Sequence, residues 1–205
     1  MDLKTYLTEA SAKNGLEAKT LQLPDCGLEP KKIKVVMISE VPHKNPSEGF
    51  YGAGPETEYM KSALGLFAEA GFELKDMDEI LGLGIYVTTA VKSPKAGYTV
   101  EPEIIKSHLP ILKAELSLFQ NLKVIMLMGD VARKAVNMLA KAETKKNVVP
   151  SGSTCRLRSG EYFWGEIRVF PSYIMTGKNL IIEPFKRECV AEDIRRMTEY
   201  LKKRS

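Results

Sequence analysis

Glu40 and His43 arrive together in Ser39-Glu40-Val41-Pro42-His43, directly after the apolar run Val35-Val36-Met37-Ile38. A carboxylate held in a concave site can orient water or stabilise positive charge in a transition state. The plainer alternative is a solvated loop that carries a surface acid and a histidine. Phe50 and Tyr51 follow between Gly49 and Gly52. Flanking glycines let a backbone approach a ligand closely, and an aromatic pair there can stack on a base or another flat group. Phe50 tucked into the core beneath the loop is the competing reading. A third stretch, Pro171–Asn179, offers Ser172, Tyr173, Thr176, Lys178 and Asn179, side chains able to meet phosphate or sugar. Lys92, Lys95, Arg156 and Arg158 add positive charge in neighbouring loops, although scattered basic residues are more often simply solvated.

These groups need a scaffold that brings loops together. Val35–Ile38, Ile85–Val91, Val124–Met128 and Ile167–Phe170 are short apolar, β-branched runs, as expected of strands buried on both faces. Between them lie helical stripes: Met60, Ala63, Leu64 and Phe67; Ile104 to Phe119, with Pro110 expected to bend the helix; and Val131, Ala135, Met138 and Leu139. Leu3, Tyr6, Leu7 and Ala10 predict a first helix, and Val190, Ile194, Met197 and Leu201 a last one. Residues 16–33 read as an irregular connection, and a hairpin is possible within 145–166. Strands alternating with helices predict a three-layer α/β/α sandwich around a four-stranded, mostly parallel sheet. In such a sheet, ligands sit beyond the carboxyl ends of the strands, where Glu40 and the Pro171 loop fall.

At 205 residues the chain is expected to be one domain, residues 1–205, with residues 1–32 as a helix and lead-in. Hydrophobic residues at 44% and charged residues at 27% indicate a soluble globular composition. The net charge of +4 permits a nucleic-acid partner without demanding one. Cys26, Cys155 and Cys189 lie far apart without a CxxC, which argues against a disulfide framework and for a reducing compartment. No apolar run reaches the roughly 18 residues of a membrane span, and MDLKTYLTEA does not read as a signal peptide. A cytoplasmic monomer is expected.

Five segments in order resemble the uracil-DNA glycosylase superfamily, most closely its iron–sulfur branch. Ser39–His43, SEVPH, is similar to that branch's GEAPG, and Phe50-Tyr51-Gly52 to its FVG. Thr88-Thr89-Ala90-Val91-Lys92 resembles TNVVK. Leu112–Leu116 with Val124–Gly129 resembles the LEAEL helix and the VIVALG strand, and Val169–Tyr173 resembles VLPTY. The match spans roughly residues 33–200. It implies a base-flipping enzyme that hydrolyses the bond between base and sugar, with DNA as its partner. Glu40 would position water or steady an oxocarbenium-like sugar, Phe50 would stack on the extruded base, and the Pro171 loop would press on the DNA backbone.

Several positions depart from the family pattern. Thr89 stands where the family reads the uracil edge with an asparagine, and one hydroxyl cannot reproduce an amide's donor–acceptor pair. Ile174 stands where a histidine stabilises charge on the leaving base; losing such a donor typically costs about 2.7–4 kcal/mol of barrier. His43 replaces the last glycine of GEAPG. Ser93 and His108 fall at cluster-cysteine positions and the N-terminal CxxC is missing, so no cluster, metal or other cofactor is expected. Two functions follow from the resemblance. One is a divergent glycosylase for a non-uracil or damaged base, with Glu40 and His43 catalytic and Phe50, Tyr51, Thr89 and Ile174 at the base. The other is an inactive nucleic-acid or nucleotide binder on the same fold. A small-metabolite pocket is a third reading.

Overall fold

The computed structural model describes residues 2–52, 54–97, 99–176 and 183–204. Its sheet has strands β1 (Val35–Ser39), β2 (Ile85–Thr89), β3 (Val124–Met128), β4 (Tyr162–Trp164) and β5 (Ile167–Ser172) in the order β2-β1-β3-β5-β4. The first four in that order run parallel, while β4 pairs antiparallel with β5. Every residue of β1, β2 and β3 is buried, as expected where helices cover both faces.

Alternation along the strands assigns the two faces. Val36, Ile38, Tyr86, Ile125 and Leu127 point to one core, shared with helices α1 (Leu3–Lys13), α4 (Pro102–Ser117) and α5 (Asp130–Thr144). Val35, Met37, Val87, Met126 and Phe170 point to the other, against α2 (Glu58–Glu69) and the last helix, α7 (Pro184–Lys202). Helices α3 (Met77–Gly82) and α6 (Thr154–Leu157) are short. The three layers are those the sequence implies. Side-chain caps start α1 at Asp2, α2 at Thr57 and α3 at Asp76, each satisfying a backbone N–H that the helix itself leaves without a partner. The α4 helix continues through Pro110 as one element.

The strand count is a correction: five strands, not four. The additional strand, β4, covers only three residues on a half-exposed edge. Too short and too wet for an apolar run, it leaves no periodic signal. It forms a hairpin with β5, turned at Gly165 with φ +59, so the hairpin starts within 145–166 but its second strand lies beyond that range, and Trp164 packs there against the core. Among the described residues, no helix is long and apolar enough to cross a membrane.

Candidate active site

Parallel pairing places the carboxyl ends of β1, β2, β3 and β5 on one edge of the sheet. The chain leaves β1 toward β2 on one side, then returns to place β3 on the other. The crevice between β1 and β3 is therefore the switch point where α/β sheets bind ligands. Glu40 follows β1 and Gly129 follows β3.

Glu40 is pinned in this crevice. Its Oε1 accepts the Val131 N–H at 3.1 Å, near the start of α5, where the helix dipole favours negative charge. Gly129, with φ +101, makes the approach possible: a Cβ there would lie 2.5 Å from Glu40 Oε1 and 2.7 Å from Ile174 Cγ1. Ile174, from the chain leaving β5, thus meets the acid over Gly129. Three strand ends converge on one point, with a carboxylate facing an apolar side chain.

A cavity of about 430 Å³ opens where the chain leaves β1 and β2, at Pro42 and Thr89. Phe50, Tyr51, Tyr59, Thr88 and Thr89 line it, with Pro42 and the lead-in residues 19–25. Phe50 is only 6% exposed and packs against Tyr59, ring centroids 5.0 Å apart. It belongs to the core, as the plainer reading expects, and also lines the cavity wall. Tyr51 donates its hydroxyl to Val87 O at 2.6 Å, fixing its ring against β2. The Tyr59 phenol bonds to Thr176; burial, with a smaller push from Glu58 and Glu40, raises its pKa, so it stays a neutral hydroxyl. The loop holding Phe50 is tight: Thr57 Oγ1 donates to Gly49 O, and a Cβ on Gly52 would strike Ser47 O at 2.1 Å.

The cavity floor rests on a buried ion pair. Lys92 and Glu115 both have fully buried side chains, with Nζ 2.6 Å from Oε2. Lys92 also donates to Thr88 Oγ1 at 2.7 Å and to Thr89 O at 2.6 Å. Glu115 Oε1 accepts from the Tyr86 and Thr88 hydroxyls. Burial lowers the Lys92 pKa, and the Glu115 carboxylate opposes that pull. Every Nζ donor is used, the condition under which buried charge is tolerable.

Several expected contacts are corrected by this arrangement. Lys92 was expected at DNA, but it is spent inside on Glu115. Ser172 is 1% exposed and donates to Asp193 at 2.8 Å, and Thr176 is buried against Tyr59. Polar partners in the interior hold all three, and none faces solvent to meet a phosphate. Tyr173 remains half-buried, with the Lys186 ammonium 5.6 Å from its ring centroid. Lys178 lies outside the described residues. His43 stands edge-on to Tyr59. Its Nδ1 accepts the Asn45 N–H at 3.1 Å, which leaves Nε2–H for Glu58 at 3.3 Å. The ring is committed to Glu58 and is not part of the cavity lining.

Sequence reasoning missed Tyr59, Gln22 and Glu115. Glu115 alone left a trace, as a carboxylate set among the apolar residues Leu112, Leu116 and Phe119 on a helix.

The family model of the uracil DNA glycosylase superfamily matches residues 26–192. The chain belongs to the uracil-DNA glycosylase superfamily. Among curated proteins, none matches it. Glu40 itself does not line the Phe50 cavity; Pro42, two residues further along the chain leaving β1, does. The residues at the cluster positions do not fit an iron–sulfur cluster. Ser93 Oγ and His108 Nε2 lie 3.3 Å apart, and His108 Nδ1 accepts the Lys92 N–H. A hydroxyl and an engaged imidazole cannot replace thiolates. Cys26, packed near Tyr51, has its thiol pushed up to about 12 by burial, which holds it in the protonated form.

Proposed function

We propose that this superfamily member binds a base flipped out of DNA in the Phe50 cavity and hydrolyses its N-glycosidic bond, acting on a damaged or otherwise non-uracil base. The observation that carries the reading is the cavity itself: a pocket of about 430 Å³ with the Phe50 ring in its wall and Pro42, two residues after the switch-point carboxylate Glu40, in its lining. That volume lies in the range of small-molecule sites. Phe50 would stack on the base, with Tyr51 holding the second wall. Glu40, with one oxygen tethered to Val131 N–H, would turn the other toward water or toward the developing positive charge on the sugar. The Thr89 hydroxyl and the hydrophobic Ile174 replace the superfamily's amide and imidazole, which favours a base other than uracil.

One observation favours the second reading, an inactive binder. Opposite Glu40 stands Ile174, which has no proton to give the departing base. Base release from duplexes carrying a panel of damaged bases separates the two. Glycosylase action requires release by the wild type and its loss in Glu40→Ala. Salt-dependent DNA binding without release would establish the binder. Absence of both release and DNA binding would reject both readings.

A further inference from the structure

The superfamily model begins its match at residue 26, yet one wall of the cavity is built from residues 19–25. That wall lies outside the matched region, and two bonds fasten it to the site. The Gln22 N–H donates to Lys92 O at 2.7 Å, and Gln22 Nε2 donates to His43 O at 2.9 Å. The carboxamide is thereby held between the chain leaving β1 and the chain leaving β2, half-buried at the cavity.

Several polar groups on the wall are already engaged. Thr88 Oγ1 accepts from Lys92 and donates to Glu115. Tyr59 is bonded to Thr176, and Asp25 pairs with Lys4 at 2.8 Å. Gln22 differs. Its amide has two N–H donors and an acceptor oxygen, and the described residues use one N–H only. One donor and one acceptor remain.

We propose that Gln22 is a specificity-determining residue, which reads a bound base through an edge that presents a ring N–H beside a C=O. Oε1 would accept the ring N–H while the free Nε2–H donates to the carbonyl. The amide pairing that Thr89 cannot make would thus come from a segment outside the matched region. Hypoxanthine, a damaged base with a cyclic-amide edge, fits this pattern; uracil shares the edge and serves as a binding probe, Ile174 offering no donor for its release. Adenine and cytosine, which offer an amine beside a bare ring nitrogen, would need the amide rotated and its bond to His43 O broken. The inference rests on the cavity being a base pocket.

The test uses the full chain and short oligonucleotides in which one hypoxanthine, uracil, adenine or cytosine is flanked by abasic residues, with affinity read by fluorescence anisotropy. Wild type should prefer hypoxanthine and uracil over adenine and cytosine. Gln22→Met should lose about tenfold or more for the cyclic-amide bases, the size of a lost bidentate contact, and little for the other two. Gln22→Glu, which accepts only, should lose the preference, because every one of the four edges then keeps a single partner. A purely structural Gln22 would weaken all four probes alike when replaced, and that result would overturn the proposal while leaving the base pocket standing. Wild type that binds none of the four better than a wholly abasic strand would overturn the base-pocket reading and this proposal with it.

Discussion

Replacing Lys92 with methionine keeps most of the side-chain volume and deletes one charge from a pair that solvent does not reach. Three bonds go with it: 2.7 Å to Thr88 Oγ1, 2.6 Å to Thr89 O and 2.6 Å to Glu115 Oε2. Glu115 keeps the Tyr86 and Thr88 hydroxyls, but its charge is left without a counter-ion in the core. Breaking a fully buried pair in this way costs about 3–5 kcal/mol. At about 2–4 °C per kcal/mol for a chain of this size, the midpoint of thermal unfolding should fall by roughly 6–20 °C. Urea unfolding followed by circular dichroism gives the free energy directly. The companion variant Glu115→Gln removes the other charge, and Lys92→Met/Glu115→Gln leaves a neutral amide among the same hydroxyls. The double variant should therefore be more stable than the sum of the two losses implies, by about 1–3 kcal/mol. A loss below about 1 kcal/mol for Lys92→Met, or strict additivity in the cycle, would refute the claim that the pair is dry and mutually dependent. It would return Lys92 to the role of a solvated cation.

Three further outcomes are expected. Burial, reinforced by the nearby Lys92 charge, lowers the His108 pKa from 6.5 to about 4, so the unfolded chain takes up a proton at a pH where the folded chain does not. Stability from this group is complete above pH 6.5 and is lost as pH falls toward 4, about 3 kcal/mol in all; His108→Gln should flatten that part of the wild-type stability–pH curve, and equal acid sensitivity in the two proteins would count against it. Gly129→Ala should cost about 1–2 kcal/mol for the positive φ alone and should also push Glu40 off Val131 N–H, so any base release should fall as it does in Glu40→Ala; unchanged stability by thermal unfolding would contradict the geometry at this crossing. Tyr51→Phe strips a donor from Val87 O and should cost about 1–2 kcal/mol in urea unfolding, whereas a neutral effect would mean that the hydroxyl bond at 2.6 Å contributes nothing.

The amino-acid sequence by itself determined the layers, the parallel sheet and the edge on which chemistry would gather. Four apolar runs separated by helical stripes are local patterns, and a strand buried on both faces has few other places to go. The same local reading put Glu40 at a strand end and Phe50 in a tight glycine loop. The tertiary structure alone decided what those residues meet. Nothing near Lys92 in the chain announces Glu115, which is 23 residues away and supplies the buried counter-charge. Nothing in residues 19–25 announces a cavity wall, because Gln22 reaches His43 and Lys92 only once β1 and β2 lie side by side. Gly129 reads as a turn residue, yet its missing Cβ is the space that Glu40 and Ile174 share. Periodicity records which way a side chain faces. Which partner stands opposite depends on contacts between distant segments, and these exist only after the chain has folded.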